Sequence, residues 1–341
     1  MELSRIGEFG LIERIARQEK RRPSTVVGIG DDCAVLKGPG SRDQGPAKYQ
    51  LITTDTFIEK VHFKIPPKNG RKPIFYHLGR KVMVANISDI SAMGGWPTHA
   101  LVTVGLPRTI KVEEVDQLYR GINSLAKKHK IDIVGGDTVS SPKAMVVSIT
   151  LLGEVEKENL LLRSTAKVGD LICVTGKFGR PASKKYDSRT WSVESRTQEA
   201  RMIAKSRMAT AMIDSSDGLV RSVLEICKAS GVGAKIYEAQ VPIAKGATLD
   251  QALYGGEEYE LVFTVRGKSD SLLVPRQCSE WLEWRATRLS SSKSCRAIGE
   301  LVSKKGFTVV GEIVNKQFGV KLIDKRGKIK RLKSGGYEHF K

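Results

Sequence analysis

The chain has 341 residues, 40% of them hydrophobic and 28% charged, which is typical of a globular protein and excludes a fibre or a wholly disordered chain. Its 57 basic and 37 acidic residues give a formal net charge of +20, which fits either a polyanionic partner such as nucleic acid or a lysine-rich solubilising surface. The longest nearly uninterrupted apolar stretch, 144–152, is far shorter than the roughly 20 residues of a membrane helix, so no membrane span is expected.

The cysteines and the N-terminal segment both indicate the cellular compartment in which the protein is expected. The five cysteines are widely spaced and include no Cys-x-x-Cys pair, which argues against a disulfide scaffold and against a structural zinc site. The N-terminal residues MELSRIGEFG lack the charged-then-apolar order of a signal peptide. We therefore expect a cytoplasmic protein.

Hydrophobic periodicity predicts a mixture of helices and strands in the first half of the chain. Apolar residues at helical spacing predict helices over 4–17, 74–93 and 112–128. Short apolar runs predict strands over 49–54, 101–106, 130–134 and 144–152. The strand at 130–134 is predicted to end on Gly135-Gly136, because paired glycines are typical of a turn.

The second half repeats this mixture after a predicted boundary near 163–169. We predict two domains, 1–165 and 166–341, as the length also favours. The second should contain a helix over 218–229 and strands over 171–175, 211–213, 234–237 and 259–265. The stretches 180–210 and 266–297 are polar, basic and rich in Ser and Arg, which is typical of surface helices or loops.

Short acidic motifs, flanked by Gly, Ser or Thr, follow several apolar runs. They are Gly28-Ile29-Gly30-Asp31-Asp32, Thr53-Thr54-Asp55-Thr56, Ser88-Asp89, Gly135-Gly136-Asp137-Thr138 and Asp214-Ser215-Ser216-Asp217-Gly218. Carboxylates just past strand ends can build a site without entering a core, and oxygen ligands suit Mg²⁺. Each motif alone reads as a turn or a helix cap. Together the five favour a cleft that binds several metal ions and handles phosphate.

Other common chemistries are missing from the sequence. No Walker A loop, dinucleotide fingerprint, His-Glu-x-x-His or Gly-x-Ser-x-Gly motif occurs. The five histidines do not cluster at metal-ligand spacing. The acidic motifs therefore remain the main candidates for function.

The chain resembles the thiamine-monophosphate kinases, within the superfamily of aminoimidazole-ribonucleotide synthetase-like ATP-binding enzymes. The resemblance rests on GEFGLI (7–12), GIGDDCAVL (28–36), TTDTFIEKVHF (53–63), KVMVANISDISAMGGWP (81–97), GGDT (135–138), IDSSDGL (213–219), GGEEYELVFT (255–264) and GGYEHF (335–340). It implies an α+β fold of two domains, each a mixed β-sheet packed with helices. It also implies transfer of the ATP γ-phosphate to thiamine monophosphate, a site at the domain interface, and a homodimer formed through the N-terminal domains.

The resemblance assigns roles to individual residues. The matching Mg²⁺ ligands are Asp32, Thr53, Thr54, Asp55, Asp89, Asp137, Asp214 and Asp217. The positions near the nucleotide are Tyr119, Gly136, Asp137, Arg163 and Ser216. The positions of the thiamine-phosphate pocket are His62, Glu257 and Tyr337. No catalytic acid or base is implied, because a phosphate monoester has a second pKa of about 6 and is largely anionic near neutrality.

From the residues alone, each of these positions also has a plain structural interpretation. Asp89 fits a solvated acid on a helix surface as well as a ligand, and Arg163 fits an ordinary basic surface residue as well as a phosphate fork. His62, between two apolar residues, fits a partly buried histidine. Tyr337 fits either a packing aromatic or a ring that stacks on a cation, and Glu257 fits a local ion pair.

Two other classes of function stay open at this stage. One is a sister enzyme with another acceptor, such as a selenophosphate synthetase, which would carry a reactive cysteine; Cys33 fits a packing residue better. The other is a basic nucleic-acid-binding protein on the same fold. The 21 aromatic residues argue against it, because they form no motif in which aromatic and basic residues alternate to stack on bases. The chain departs from the family pattern at Glu258, where Asp is usual, and within 177–211 and 276–297.

Overall fold

The computed structural model describes residues 2–38, 47–65, 71–179, 193–267 and 306–332. These residues form two compact units. The first contains the described residues up to 160 together with 193–201, and the second contains 161–179 and the described residues from 202 onward. The predicted boundaries, 1–165 and 166–341, stay a prediction.

The first unit is built on a six-stranded sheet with the strand order β1-β2-β3-β6-β4-β5. The strands are β1 (Thr25–Val27), β2 (Ala34–Lys37), β3 (Lys48–Ile58), β4 (Trp96–Leu106), β5 (Asp132–Ser140) and β6 (Val146–Glu156). The helices are α1 (Leu3–Ala16), α2 (Arg71–Ala92) and α3 (Val112–His129). β4 and β5 pair parallel and the other neighbours pair antiparallel, so the sheet is mixed.

Helix α2 is the centre of this unit because it packs against the sheet on one side and against α3 on the other. Between residues 81 and 92 every side chain except that of Asp89 is buried, including those of Asn86 and Ser91. Two of these buried polar side chains bond within the helix: Asn86 donates to the Val82 carbonyl, and Ser91 donates to the Ile87 carbonyl. In a helix enclosed by two layers, such bonds offset the loss of water around polar side chains.

The second unit is built on a seven-stranded sheet with the strand order β13-β12-β9-β11-β7-β10-β8. The strands are β7 (Leu171–Val174), β8 (Ala209–Asp214), β9 (Gly233–Tyr237), β10 (Leu261–Val265), β11 (Thr308–Val314), β12 (Val320–Ile323) and β13 (Ile329–Arg331). The helices are α4 (Thr197–Ser206), within which the division between the units falls, α5 (Leu219–Ser230) and α6 (Leu249–Tyr254). Helix α5 buries Val220, Val223 and Ile226 in the core of this unit.

The predicted fold class is confirmed, since both units are mixed sheets packed with helices. Several strands are longer than predicted, and two of the extensions contain predicted site residues. β3 continues past residue 54 to Ile58 because it pairs with β6 along its whole length, and β5 does not end at Gly135-Gly136 but pairs with β4 up to Ser140. Asp55 and Asp137 therefore lie inside strands rather than beyond strand ends. Among the described residues, no helix is long and apolar enough to cross a membrane.

Gly136 allows β5 to pair closely with β4. Its φ is +152°, and a Cβ added there would lie 1.7 Å from the Val102 carbonyl oxygen. We expect Gly136→Ala to lower the free energy of unfolding by about 3 kcal/mol, because both the backbone and the neighbouring strand must shift. Urea titration measures this.

Gly135→Ala is the matched control for that prediction. A Cβ at Gly135 would meet only the end of the Leu101 side chain, at 3.3 Å, so its effect should stay below about 1 kcal/mol. Equal losses in the two variants would contradict the role assigned to the close approach at Gly136.

Candidate functional site

In the first unit, a group of oxygen-bearing side chains lies between strand β3 and helix α2. The Thr53 hydroxyl donates to Asp89 Oδ2 at 2.5 Å, and the Asp55 backbone N–H donates to Asn86 Oδ1 at 3.1 Å. Residues 53, 55 and 57 share one face of β3 because side chains alternate along a strand. That face is the one that meets α2, as the Lys81 ammonium 5.5 Å from the Phe57 ring also indicates.

Asp32 brings a further carboxylate to this group. One carboxylate oxygen of Asp32 and one of Asp89 lie within 4.8 Å of each other. Burial, together with the negative charge of Asp32, raises the pKa of Asp55 to about 6. We call Asp32, Thr53, Asp55 and Asp89 the acidic group.

The acidic group fits a hard divalent cation. It offers only oxygen donors, which are the ligands that Mg²⁺ prefers. Its carboxylates crowd negative charge in a largely buried place, and a cation bound there would offset that repulsion. Asp89 is half-buried on α2 rather than solvated on a helix surface, so the plain structural interpretation of this residue is wrong.

Thr54 and Asp137 lie on the opposite face of the sheet. Thr54 is exposed and donates to the Ile149 carbonyl at 3.2 Å. Asp137 is exposed on β5 and is in register with Thr103, which pairs in turn with Ser148 and, through it, with Thr56. Register partners share a face, and Thr56 is next to Asp55 in the strand, so this face is not that of the acidic group. As metal ligands, Thr54 and Asp137 stay predictions.

His62 and Tyr119 complete the predicted positions of the first unit. His62 Nδ1 accepts the Ile58 N–H at 3.0 Å, and its ring centroid lies 5.3 Å from that of Phe57. Its half-buried packing agrees with the plain structural interpretation. Tyr119 is half-buried on α3, and burial raises the pKa of its hydroxyl above the ordinary value.

In the second unit, three chain segments meet at one end of the sheet. Strand β10 lies between β7 and β8 and is antiparallel to both, so residues 255–260, which enter β10, adjoin the ends of β7 and β8. The Glu257 N–H donates to the Ser216 carbonyl at 2.6 Å, and the Tyr259 N–H donates to the Ser215 carbonyl at 3.0 Å. The predicted positions Ser216 and Glu257 are thus neighbours.

The segment from Asp214 to Gly218 connects β8 to helix α5. Asp214 is the last residue of β8 and is buried, Asp217 is half-buried, and Ser216 is exposed. The N-cap residue of α5 is Gly218, so neither aspartate serves as the N-cap that the plain interpretation of this motif expects. The segment brings carboxylate and hydroxyl oxygens together between β8 and α5.

Arg163 is another predicted position of the second unit. It begins a short 3₁₀ turn, Arg163–Thr165, which packs against α5, and its carbonyl accepts from the Ser230 hydroxyl at 2.8 Å. The side chain is half-buried. Tyr337 lies outside the described residues.

Comparison with known proteins places the chain in a family. The family models described as AIR synthase related protein, N-terminal domain and C-terminal domain, match residues 30–155 and 192–312. The thiamine-monophosphate kinase of Bacillus subtilis (strain 168) is 32% identical over 98% of this chain and 99% of its own. The chain belongs to the thiamine-monophosphate kinase family.

Other members and a solved structure agree with this assignment. The thiamine-monophosphate kinase of Pyrococcus horikoshii is 35% identical, over 70% of this chain and 77% of its own. A solved structure of AaThiL complexed with AMPPCP and TMP is similar with a TM-score of 0.75 and 25% identity, and covers 99% of both chains. The resemblance inferred from the motifs is thereby confirmed. Cys33 is buried, with 2% of its surface exposed, as a packing residue should be.

Three polar residues of this family member were not among the predicted positions, although motifs contained them. Asn86 lies three residues before Asp89, a spacing that places both on one side of a helix. Glu258 and Glu260 alternate with Glu257 and Tyr259, the period of a strand, and both are buried. The signal that could have found these three residues is the helical or strand spacing within each motif.

Proposed function

We propose that this chain transfers the γ-phosphate of ATP to the phosphate of thiamine monophosphate, which yields thiamine diphosphate and ADP. The observation that carries this function is the similarity to thiamine-monophosphate kinases along nearly the whole chain. The similar structure, which contains AMPPCP and TMP, supports the same pair of substrates. The phosphate is transferred directly, in line, from donor to acceptor.

In this proposal, Mg²⁺ is held by the acidic group of the first unit and by Asp214 and Asp217 of the second. Thr54 and Asp137 are proposed as further ligands on the opposite sheet face. When bound, Mg²⁺ supplies neutralisation of the phosphate charges of donor and acceptor. The support is the chemistry of the donors, which are all oxygen, and the raised pKa of Asp55, which burial and the nearby negative charge of Asp32 cause.

The remaining proposed positions bind and orient the substrates. The nucleotide is assigned to Tyr119, Gly136, Asp137, Arg163 and Ser216, and the thiamine phosphate to His62, Glu257 and Tyr337. Arg163 brings a planar fork of donors that suits a phosphate, and Glu257 brings a negative charge that suits the thiazolium cation. No residue is assigned as a base, because the acceptor phosphate is already anionic near neutral pH.

A cytoplasmic homodimer with no nucleic-acid partner completes the proposal. The homodimer follows from the family resemblance and the compartment from the cysteine usage and the N-terminal segment, and all three points stay predictions. The charge excess favours no particular partner. Residues 316–341, for example, carry nine basic and two acidic residues, so the excess includes a C-terminal segment remote in sequence from the acidic motifs.

A single assay tests the proposed function. The protein is incubated with γ-labelled ATP, MgCl₂ and thiamine monophosphate, and the products are separated. We expect label in thiamine diphosphate, one ADP for each thiamine diphosphate, and no product from thiamine, which lacks the acceptor phosphate. ADP formation that does not depend on thiamine monophosphate, with no labelled thiamine diphosphate, would contradict the assigned acceptor.

A further inference from the structure

Glu258 is a buried carboxyl group to which the proposed reaction gives no role. Only 5% of its surface is exposed. Its Oε1 accepts the backbone N–H of Gly179 at 2.8 Å, and its Oε2 is buried without a hydrogen-bond partner among the described residues. The bond joins positions 79 residues apart in the chain. Burial raises the pKa of Glu258 to about 7.

Glu260, two residues further on, makes a similar contact with the same segment. Its Oε2 accepts from the Thr175 hydroxyl at 2.6 Å, and a Cβ added at Gly176 would lie 1.9 Å from its Oε1. Both glutamates therefore reach residues 175–179, which follow β7. Gly179 itself is closely packed, because a Cβ there would lie 2.8 Å from the Ala247 side chain and 3.0 Å from the Ala252 nitrogen.

Glu257 and Tyr259 alternate with these two glutamates and have an unusual backbone. Their φ angles are +63° and +52°, in the left-handed region that residues other than glycine rarely adopt. Such a conformation persists only where the surrounding structure holds it. Here the backbone N–H groups bond to residues 215 and 216 on one side, and the side chains of Glu258 and Glu260 bond to residues 175–179 on the other.

We propose that Glu258 is a positioning residue for the acceptor site: by anchoring to Gly179 it holds the left-handed backbone of Glu257 and so fixes the Glu257 carboxylate for thiamine monophosphate. This inference rests on the proposed function, which assigns Glu257 to the acceptor. Loss of the anchor frees the backbone on one side of Glu257 only. The effect should therefore fall on the acceptor more than on ATP.

Three variants of Glu258 test the proposal by steady-state kinetics. Glu258→Ala removes the acceptor of the Gly179 N–H and should raise KM for thiamine monophosphate about tenfold, with KM for ATP within twofold of the parent. Glu258→Gln keeps an oxygen for that N–H and should restore both values to within twofold. Glu258→Asp is shorter by one carbon–carbon bond, about 1.5 Å, and should fall between them. It also serves if the alanine variant does not fold.

Thr210→Val is the matched control for general destabilisation. Thr210 is buried in β8, at the opposite end from Asp214, and its hydroxyl bonds to Asp170 Oδ2 at 2.5 Å. This variant should lower the melting temperature and leave both KM values within twofold. If Glu258→Ala also changes only the melting temperature, or raises both KM values equally, Glu258 is not a positioning residue for the acceptor.

Calorimetric titration with thiamine monophosphate separates this proposal from the proposed function. A parent protein that binds thiamine monophosphate without turnover would contradict the proposed function. In that case a tenfold loss of affinity in Glu258→Ala would still support the positioning role of Glu258, and unchanged affinity would contradict it. A parent that neither turns over nor binds thiamine monophosphate would overturn both proposals.

Discussion

The Asp55→Asn variant is expected to lose at least about a hundredfold in kcat while it keeps its fold. Asparagine has the same shape and leaves the backbone N–H of residue 55 bonded to Asn86 Oδ1. It removes one negative charge from the acidic group, where that charge is proposed to hold Mg²⁺. The measurements are the rate of thiamine diphosphate formation and the Mg²⁺ concentration that gives half of that rate.

The pH dependence of stability, measured without Mg²⁺ for the parent and for Asp55→Asn, gives an independent check on the environment of Asp55. Because the pKa of Asp55 is raised to about 6 in the folded protein, the native state favours the protonated form. That contribution to stability is complete below the unfolded pKa of about 4 and is lost as the pH rises through 6. The parent without Mg²⁺ should therefore become less stable between pH 4 and pH 7, and Asp55→Asn should lack this part of the decline.

Asp116→Asn is the matched control, since it makes the same exchange at an exposed position of α3. It should change neither kcat nor the dependence on Mg²⁺. Full activity in Asp55→Asn at the parent's Mg²⁺ requirement would exclude Asp55 as a metal ligand.

The Arg201→Ala variant is expected to lose about 3 kcal/mol of unfolding free energy, because it leaves a largely buried carboxylate without its partner. Arg201 forms a two-bond pair with Glu156, from Nη1 at 2.7 Å and Nη2 at 2.8 Å, and the side chains of the pair are 14% and 15% exposed. Nη1 also donates to the Gly94 carbonyl at 2.6 Å, and the guanidinium carbon lies 4.1 Å from the Trp96 ring centroid. Urea titration measures the loss.

Arg201→Lys is the control for shape, since it keeps the charge but loses the planar fork and should recover less than half of the stability. The pH dependence identifies the pair. The hydrogen bonds from Arg201 hold the pKa of Glu156 at about 2, below its ordinary value. Glu156 therefore stabilises the parent above about pH 4.5 and loses that effect as the pH falls toward 2. If Arg201→Ala shows the same acid limb as the parent, this pair does not set it.

Local patterns were enough to locate most helices and strands. The predicted helix over 112–128 is α3, Val112–His129, because its apolar residues recur at the helical period and charged residues cover the other side. The predicted strands 49–54 and 130–134 stopped too early, since threonine, aspartate and glycine are typical of turns. In the folded chain, pairing with β6 and β4 continues through them. Cross-strand hydrogen bonds outweigh the preference of these residues for turns. The sequence of one strand does not show which other strand it pairs with.

For the candidate site, too, the sequence predicted one part and only the structure showed the other. The sequence by itself predicted the kind of chemistry, because carboxylates and hydroxyls in several glycine-rich motifs suit Mg²⁺ and phosphate. It did not determine which of them meet. Thr53 and Thr54 are adjacent, yet Thr53 bonds to Asp89 and Thr54 faces the other side of the sheet, since neighbouring residues of a strand point in opposite directions.

Only the tertiary structure decided the partners of Glu258, which is buried, and of Glu156, which is half-buried. Nothing near Glu258 in the chain indicates a bond to Gly179, and nothing near Glu156 indicates a bond to Arg201. Both depend on strand order and helix packing, which bring distant segments within hydrogen-bonding distance. Composition and local period describe a chain's elements and its chemistry. The directions in which side chains point, and the groups they reach, arise only when the sheets assemble and burial makes each unpaired polar group costly.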